Sequence, residues 1–336
     1  MSVTPAKLMS LWQQVLKLSR VNPGDSVVVL NTYDGSTPYK AVAVSQPELL
    51  GAQVSYVEVP SRSCLPDAML PLLKAADLIV DLAFILDSRI HDCRQTGSRV
   101  LVVLEPPEIL ERMLPQPEDK QRAVAARERL AHGKMMHVTS AAGTDFYAPL
   151  GEFPAMCQYG FADEPGHWDQ WPGVFVFTFP NEAGASGTVV LDQGDIIFPF
   201  FTYIQSPITL QVENGFIREI TGDFDAGYMQ AFMAKYQDND VYAISHIGWG
   251  LSTNGQWEAM GLYGKGTTEG QDGRAFSGNF LFSTGPNAVG GGLRSTPCHL
   301  DVPMRHCSVY LDGQPVVLDG QVVTDAQPQE PVLYMA

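Results

Sequence analysis

The amino-acid sequence predicts an α/β N-terminal domain with a parallel sheet, followed by a mostly antiparallel β (α+β) C-terminal domain. Three observations lead to this fold class. A chain of 336 residues exceeds what a single hydrophobic core usually holds, which favours two domains. The first 145 residues alternate apolar runs with helix-like segments, whereas short alternating runs with frequent glycine and proline dominate afterwards. We therefore predict an α/β domain over residues 1–145 and a β-rich, metal-binding catalytic domain over residues 146–336.

The N-terminal domain begins with a helix and continues with four apolar strands. Residues 6–19 place apolar side chains at helical spacing, and the sequence VNPGD ends this helix. Strands are predicted at SVVVLNT, QVSYVEVP, DLIVDLAF and RVLVVLE, with helices through residues 47–51 and 66–75 between the earlier ones. Apolar strands that alternate with helices are typical of a parallel sheet with right-handed crossovers. No GxGxxG or GxxxxGK sequence follows any of these strands, so nothing indicates a nucleotide site.

The C-terminal domain consists mainly of short strands. A charged helical segment over residues 115–136 precedes it. Alternating sequences such as GVFVFTFP, GTVVLDQGDIIF and ITLQVENGFIREI then predict strands, and ENG and LDGQ are typical of hairpin turns. One further helix is predicted over residues 227–236. These features indicate antiparallel sheets in this domain.

The charge of the chain argues against two classes of partner. A formal net charge of −16 repels the phosphates of nucleic acid and the anionic surface of a membrane. The N-terminal segment lacks the basic stretch and the clean apolar run of a signal peptide, and no apolar run is long enough to span a bilayer. We therefore expect no nucleic-acid partner, no membrane partner and no signal peptide.

The cysteines indicate a reducing compartment. There are five of them, an odd number, and no two have CxxC spacing. Reduced thiols in the cytoplasm fit this pattern better than a disulfide framework does. Cys298 is adjacent to His299, but adjacent strand residues project to opposite faces, so we expect a buried thiol rather than a metal ligand.

A histidine and an aspartate stand two positions apart in the sequence TPCHLDVPMRHC. His299 and Asp301 project to the same face if this segment is a strand, and one cation could bind both side chains. A hydrogen-bonded pair on a half-buried strand is the more common explanation of such a spacing. A third ligand is therefore needed before the sequence indicates a metal site.

His246 is the candidate for this third ligand. It stands in DVYAISHIGWGLS at the end of an alternating strand, before a glycine-rich IGWG sequence that we interpret as a turn. Another strand, in GNFLFSTGPNAVGGGLRS, ends at Ser283 and opens into a glycine-rich loop. Two histidines and one carboxylate on one face of a metal leave positions open, as in non-haem Fe(II) sites. Zinc could accept the same ligands.

The other histidines give weaker signals. His132 and His137 lie in the charged helical segment and at its exit, where roles at the surface are expected. His306 stands near a strand start and is also expected at the surface. His91 lies in DSRIHD, which we interpret as a polar loop after a strand, and His167 lies in HWDQW.

The chain resembles the metallo-aminopeptidases of the M29 fold family over most of its length. The resemblance rests on the α/β first half, on an xGxGL pattern in SHIGWGLS, and on an S-x-x-x-H-x-D pattern in STPCHLD. In those peptidases a glutamate begins a strand similar to GVFVFTFP, and another glutamate precedes the GxG pattern. This chain has an apolar residue at the first place and His246 at the second. The loss of both carboxylates removes a two-metal peptidase centre and leaves a mononuclear site.

The same departure from the peptidase pattern is found in the 2,5-dihydroxypyridine 5,6-dioxygenases of nicotinate and nicotine degradation. The chain resembles this family over nearly its whole length. The resemblance implies Fe(2+) held by His246, His299 and Asp301, with Ser283 near the substrate. It also implies extradiol-type cleavage of the C5–C6 bond of 2,5-dihydroxypyridine to N-formylmaleamate, or cleavage of a closely related hydroxylated N-heteroaromatic ring. Both atoms of O2 would enter the product.

The resemblance places the substrate-binding and acid/base residues less directly. Where the family has a histidine after a leucine, this chain has Leu86 and Asp87, and in the W-D-x-W segment it has Gln170. His91 and His167 stand a few residues away and could fill these roles. The substrate-binding candidates besides the serine are therefore Leu86, Gln170 and His167. The acid/base candidates are Asp87 and His91.

Aromatic side chains could enclose a flat ring. Phe177, Phe179 and Trp168 are candidates, although aromatic residues on alternating strands more often belong to a core. The partners that the resemblance implies are a small aromatic substrate and O2, and relatives indicate a homo-oligomer.

Two other functions stay open on the sequence alone. A hydrolase similar to the M29 metallopeptidases could use zinc at the same residues, although the missing carboxylates argue against it. A non-catalytic member could keep the fold as a binding or assembly module. Metal content and oxygen uptake distinguish these functions from a dioxygenase.

Overall fold

A computed structural model describes residues 3–33, 35, 37–264 and 266–323 of the chain. The chain divides into two compact units, each built from segments that are separated in sequence. Unit 1 contains Met1–Ala126, Cys157–Phe175 and Ser252–Phe276. Unit 2 contains Arg127–Met156, Val176–Leu251 and Ser277–Ala336. Both units therefore draw on the two halves of the sequence rather than on one half each.

The described residues contain nine α-helices. They are α1 (Pro5–Leu18), α2 (Lys40–Leu49), α3 (Leu70–Lys74), α4 (Arg89–Gln95), α5 (Pro107–Arg112), α6 (Pro117–His132), α7 (Phe224–Ala234), α8 (Ala259–Leu262) and α9 (Gln271–Arg274). Short 3-10 turns lie at Asp67–Met69, Asn239–Tyr242 and Ala288–Gly290.

The described residues also contain twenty strands, several of them very short. They are β1 (Ser26–Thr32), β2 (Gln53–Val59), β3 (Leu78–Asp81), β4 (Arg99–Val103), β5 (Met135–Ser140), β6 (Asp145–Pro149), β7 (Met156–Gln158), β8 (Trp168–Trp171), β9 (Phe175–Thr178), β10 (Ser186–Leu191), β11 (Ile196–Ile197), β12 (Thr202–Tyr203), β13 (Ile208–Glu213), β14 (Phe216–Gly222), β15 (Ile244–Gly250), β16 (Phe280–Thr284), β17 (Leu300–Met304), β18 (Cys307–Leu311), β19 (Gln314–Leu318) and β20 (Gln321–Val322).

Helix α1 forms as its sequence predicts. The side chain of Thr4 accepts a hydrogen bond from the main-chain N–H of Lys7, and Pro5 occupies the first turn, where its missing N–H costs nothing. Its apolar face is buried, with Trp12 and Leu16 fully so. The chain ends the helix at Leu18, as the VNPGD sequence predicted to within a residue.

The sheet of unit 1 has the strand order β2-β1-β3-β4-β8, and its pairings are parallel. The predicted four-stranded parallel sheet is therefore confirmed. Strands β3 and β4 are buried along their whole length, as parallel strands covered on both faces must be. The fifth strand, β8, was not predicted from the sequence. Its main chain pairs with β4, which draws the later segment Cys157–Phe175 into this unit.

Three predictions about the helices of unit 1 were wrong in detail. Helix α2 begins well before residue 47, because buried apolar residues extend its packed face towards the N-terminus. Residues 66–75 form a 3-10 turn followed by the short α3 rather than one helix. DSRIHD is not a loop, since His91 lies in α4, which packs Ile90 and Cys93 into the core.

An eight-stranded sheet, of order β14-β13-β10-β6-β5-β18-β19-β20, forms one layer of unit 2. All of its strand pairings are antiparallel. The ENG turn between β13 and β14 is a hairpin in which Asn214 and Gly215 have φ of 52° and 78°. Asparagine and glycine tolerate positive φ, and for this reason the sequence predicted this hairpin correctly.

A second sheet of unit 2 carries the candidate metal ligands and has the neighbours β17-β16-β15-β9. The prediction that IGWG is a turn was wrong, because Ile247–Gly250 continues β15. A Cβ atom on Gly248 would lie 1.9 Å from the carbonyl oxygen of Val176 in β9. The glycine therefore serves the close approach of two strands rather than a reversal of the chain.

Within the described part of the chain, none of the helices combines the length and the apolar character needed to cross a bilayer.

Gly248→Ala is expected to lower the free energy of unfolding by more than about 2 kcal/mol, because the added methyl group forces β9 and β15 apart. Urea unfolding measures this difference. The matched control is Gly227→Ala in α7, where a Cβ atom meets nothing within 4 Å. The control should raise the free energy of unfolding by about 0.5–1 kcal/mol. Equal stability of Gly248→Ala and the unchanged protein would contradict the tight pairing.

Candidate metal centre

Three side chains of unit 2 converge on one point. His246 Nε2 lies 3.0 Å from Asp301 Oδ1 and 3.3 Å from His299 Nε2, and His299 Nε2 lies 3.2 Å from Asp301 Oδ1. Among the described residues, these three form the one group of acidic, histidine or cysteine side chains whose atoms could hold a metal ion. Donors bound at about 2.1 Å, at octahedral to tetrahedral angles, stand roughly 3.0–3.4 Å apart. The observed triangle fits a single ion.

His299 and Asp301 meet because of their spacing at the start of one strand. Strand β17 begins at Leu300, directly after His299. Residues two apart in extended backbone project to the same face, which brings the imidazole and the carboxylate together. Cys298 is buried next to them, and burial raises the pKa of its thiol to about 11. It is not part of the convergent group.

The ring of His299 is held in the orientation that a metal ligand needs. Its Nδ1 lies 2.9 Å from the carbonyl oxygen of Thr284. A carbonyl oxygen only accepts, so Nδ1 carries the proton and Nε2 keeps a lone pair directed at His246 and Asp301. A main-chain acceptor for the second ring nitrogen is the usual arrangement for a ligating histidine. This acceptor has no signal in the sequence, because any residue supplies a carbonyl group.

The main chain of Asp301 is fixed on both sides. On one side it pairs with Ser283 of β16. On the other side its N–H and carbonyl group exchange hydrogen bonds of 3.3 Å and 2.8 Å with Phe198, just after β11. Phe198 has no feature in the sequence that singles it out. The carboxylate therefore projects from backbone that is hydrogen-bonded to Phe198 on one side and lies opposite Ser283 on the other.

Asp195 ties this neighbouring segment to the end of β17. Its carboxylate accepts hydrogen bonds from the main-chain N–H groups of Arg305 at 2.9 Å and Asp192 at 2.8 Å. The side chain is almost fully buried, and burial raises the pKa of its carboxyl group to about 7. The same hydrogen bonds oppose this rise but do not overcome it.

Aromatic side chains surround His246. The rings of Phe177 and Phe179 meet its imidazole edge-on, with centroid distances of 5.4 Å and 6.1 Å. Phe179 also packs on Phe153 at 5.9 Å. A Cβ atom on Gly290 would lie 2.4 Å from the Phe179 ring, so the glycine-rich loop after β16 packs directly on it. The imidazole of His246 thus contacts apolar aromatic side chains.

Ser283 lies on the same face of the sheet as the convergent group. It is fully buried in β16, opposite Asp301 in the antiparallel register. Its hydroxyl donates a 2.7 Å hydrogen bond to the carbonyl oxygen of His246. Of the substrate-binding candidates, Ser283 is the one that the structure places next to the three ligands.

Asp87 lies in unit 1 and takes part in an ion pair that joins two loops. Its carboxylate contacts the guanidinium of Arg89, with Oδ1 2.8 Å from Nε and Oδ2 2.6 Å from Nη2. It also accepts from the main-chain N–H of Leu65 at 3.2 Å. These contacts, led by Arg89, lower the pKa of Asp87 to about 2. A carboxylate with so low a pKa is a weak base, which does not favour the acid/base role predicted for it.

His167 and Gln170 lie in or beside β8 of unit 1. His167 Nε2 is 2.9 Å from the carboxylate of buried Asp169, and its ring stacks on Tyr159 at 4.6 Å. His167 precedes the amino end of β8, whereas Leu86 follows the carboxyl end of β3, a parallel strand of the same sheet. Gln170 is buried within the strand.

The remaining candidates of unit 1 are more exposed. Leu86 is 60% exposed, and its N–H donates to the carbonyl oxygen of Arg62. His91 is exposed on α4, with Nε2 3.1 Å from the amide nitrogen of Gln95. Trp168 packs edge-on against Phe84 at 6.0 Å, within the core of unit 1. All of these residues belong to unit 1, whereas the three convergent ligands belong to unit 2.

The other histidines lie outside the convergent group. His132 is exposed in the last turn of α6. His137 stacks on Tyr147 at 4.1 Å, with Nε2 2.7 Å from Asp145. His306 occupies the exposed turn between β17 and β18 with φ of 57°.

Comparison with protein families and sequences gives a consistent result. The family model described as 2,5-dihydroxypyridine 5,6-dioxygenase matches residues 7–324. A 2,5-dihydroxypyridine 5,6-dioxygenase of Pseudomonas putida (strain KT2440) is 47% identical over 342 aligned positions. The match covers 96% of this chain and 98% of that protein.

Two solved structures share the fold. The structure of 2,5-dihydroxypyridine dioxygenase from Pseudomonas putida KT2440 matches with a TM-score of 0.93 and 46% identity, over 96% of this chain and 99% of that chain. Wild-type AmpT from Thermus thermophilus matches with a TM-score of 0.61 and 14% identity, over 94% and 99%. At this identity the second match shows a common architecture and nothing about activity.

Asp87→Asn is expected to lower the free energy of unfolding by about 1–3 kcal/mol at pH 7, because it removes the charge that Arg89 and the Leu65 N–H group contact. The folded-state pKa of about 2 lies below the unfolded value of about 3.9, so the ion pair stabilises above pH 4 and is lost as the pH falls towards 2. Urea unfolding at several pH values measures the difference. A difference between variant and unchanged protein that stays constant from pH 7 to pH 2 would contradict this assignment.

Proposed function

The chain belongs to the 2,5-dihydroxypyridine 5,6-dioxygenase family, and on this premise we propose that it cleaves 2,5-dihydroxypyridine between C5 and C6. The product is N-formylmaleamate. C5, which bears a hydroxyl group, becomes the carboxylate carbon, and C6 becomes the formyl carbon on the former ring nitrogen. Each of these carbons gains one atom of O2, so substrate and O2 together supply every atom of the product.

The observation that carries this proposal is the convergence of two imidazoles and one carboxylate from β15 and the start of β17. His246, His299 and Asp301 are the donor set of mononuclear iron sites that react with O2. Zinc accepts similar ligands but has no redox chemistry, and cleavage of a ring by O2 requires electron transfer. We therefore propose that the three side chains bind Fe(2+).

Bound iron would bring the ring and O2 together at neighbouring positions and pass electron density from one to the other. The chain itself contributes orientation and an apolar surrounding. The carbonyl oxygen of Thr284 fixes the ring of His299, and the pairing with Phe198 fixes the backbone of Asp301. The rings of Phe177 and Phe179 exclude water from the side of His246.

The ring hydroxyl must lose a proton, which requires a basic group of the protein. The contact with Arg89 lowers the pKa of Asp87 to about 2. His167 is paired with Asp169 at the amino end of β8. Among the named candidates, His91 is the one that is neither in an ion pair nor buried, and we keep it as the proposed base. Replacement by alanine, with unchanged oxygen uptake at every pH, would remove it from this role.

The hydrolase alternative has less support. A two-metal peptidase centre needs more carboxylates than the single group that the described residues provide. The likeness to AmpT is one of fold alone. The family match instead favours a dioxygenase over both the hydrolase and the non-catalytic module.

We also propose that the protein works in the cytoplasm as a homo-oligomer. The five cysteines are free thiols in the structure, which suits a reducing compartment. Cell fractionation tests the location, and light scattering after size-exclusion chromatography tests the assembly. Recovery in an oxidising compartment, or the mass of a single chain, would contradict these proposals.

His246→Ala is expected to lose iron while it keeps its fold, because one of three ligands disappears from a partly buried site. The measurement is the iron content of protein loaded and desalted without oxygen, together with far-UV circular dichroism. His132→Ala, which removes an exposed histidine at the end of α6, is the matched control and should bind one iron per chain. Full iron occupancy in His246→Ala would remove this residue from the site.

Iron-loaded protein is expected to consume one O2 for each 2,5-dihydroxypyridine, and with labelled O2 both heavy oxygen atoms should appear in the product. An oxygen electrode and mass spectrometry measure these two results. 2-Hydroxypyridine is the matched control, since it lacks the second hydroxyl group and should give no uptake. Absence of iron-dependent uptake with every hydroxylated N-heteroaromatic tested would contradict the proposed function.

A further inference from the structure

Strand β15 is irregular at the metal centre. The register between β15 and β16 shifts between Ile244 and Ile247. Two residues of β15, Ser245 and His246, therefore stand opposite one residue of β16, Ser283. This is a β-bulge, a feature that bends a strand and redirects a side chain.

The register on the C-terminal side of the bulge decides which face of the sheet His246 occupies. Continued back by one residue from the pairs Ile247–Phe282 and Gly248–Leu281, it places His246 opposite Ser283. Ser283 and its partner Asp301 lie on one face of the sheet, whereas the adjacent Phe282 lies on the other. There Phe282 packs against Phe146 at 6.0 Å. The register of Ile244 with Thr284, continued as far as His246, would instead pair His246 with Phe282 and turn it away from Asp301. The bulge is where one register gives way to the other.

The hydroxyl of Ser283 holds the bulge. A bulge interrupts the ladder of main-chain hydrogen bonds, which leaves its carbonyl groups in need of other donors. The Ser283 hydroxyl donates to the carbonyl oxygen of His246 at 2.7 Å, and Ser283 is fully buried. An alanine at this position would take the donor away from a site that water does not reach.

The same dipeptide of β16 touches the other two ligands. The main chain of Ser283 pairs with Asp301, and the carbonyl oxygen of the next residue, Thr284, accepts from His299 Nδ1. Residues 283–284 therefore contact all three ligands, and no side-chain atom of theirs belongs to the ligand group.

We propose that Ser283 is a positioning residue, whose hydroxyl fixes the main chain of His246 at the bulge and thereby holds its imidazole towards the metal. This inference rests on the proposed metal site and differs from a role in substrate contact. A residue that only contacts substrate alters the Michaelis constant and leaves the substrate-free metal site unchanged. A residue that positions His246 alters the affinity and the geometry of the metal before any substrate is present.

Four variants test the proposal, and all measurements are made without substrate and without oxygen. Ser283→Ala removes the donor, and Ser283→Thr restores a hydroxyl group in a residue that suits a strand. Ser98→Ala is the matched control, since the Ser98 hydroxyl is also buried and donates to a carbonyl oxygen, that of Leu73, at 2.9 Å in unit 1. His246→Ala reports whether the three residues bind metal at all.

Competition with a chelator gives the Fe(2+) affinity, and the visible spectrum of Co(2+)-loaded protein reports the geometry of the site. Ser283→Ala is expected to bind Fe(2+) about 10-fold or more weakly, with an altered Co(2+) spectrum. Ser283→Thr should recover most of the affinity. Ser98→Ala should lose stability, but its metal affinity should stay within about twofold of that of the unchanged protein.

Unchanged affinity and an unchanged Co(2+) spectrum in Ser283→Ala would overturn the proposal, most clearly if the Michaelis constant alone rises. If Ser283→Ala does not fold, Ser283→Cys replaces it, because a thiol of similar size is a weak donor. Metal binding by Ser283→Cys as tight as that of Ser283→Thr would then overturn the proposal. Loss of metal from His246→Ala, with none from the serine variants, rejects this inference and leaves the proposed function standing.

Discussion

The register between β15 and β16 is the constraint on which the candidate metal centre depends. Asp301 in β17 and His299, directly before this strand, meet because of their spacing alone. The third ligand, His246, comes from β15, which pairs with the other side of β16. His246 lies on the face of the other two ligands because the register that pairs Ile247 with Phe282, continued back by one residue, places it opposite Ser283. The bulge before His246 is where the different register of Ile244 ends. Convergence of the three donors thus depends on strand pairing as well as on the ligand residues themselves.

Other features of unit 2 preserve this register. The absence of a side chain at Gly248 lets β9 approach β15 two residues after His246. The segment after β11 pairs with Asp301, and buried Asp195 holds the end of β17 through the N–H group of Arg305. Gly248, Phe198 and Asp195 are not among the three convergent ligands, yet each makes a contact of a strand that carries or precedes a ligand. The strands β15 and β16 are thus paired on both sides, and the outer side of β17 is held at Asp301 by the bridge to Phe198.

Sequence patterns predicted what local geometry determines. Apolar runs gave the parallel sheet, Asn214-Gly215 gave a hairpin, and the i, i+2 spacing placed His299 beside Asp301. The glycines of IGWG predict a turn where the structure has a strand, because a glycine that permits close strand packing and a glycine that permits a reversal look alike in sequence. The bulge and the acceptor for His299 have no sequence signal, since main-chain pairing does not depend on residue type. The sequence suggests a base role for Asp87 that its contacts with Arg89 do not favour.

X-ray absorption at the iron edge, on protein loaded with Fe(2+) without oxygen, tests the central claim that one ion is held by two imidazoles and one carboxylate. Nitrogen and oxygen neighbours at about 2.1 Å are expected, with the outer-shell scattering of two imidazole rings. If the His299→Ala variant retains iron, its spectrum should show the scattering of one imidazole ring instead of two. A spectrum without imidazole scattering, or with the same number of rings in the variant, would contradict the account.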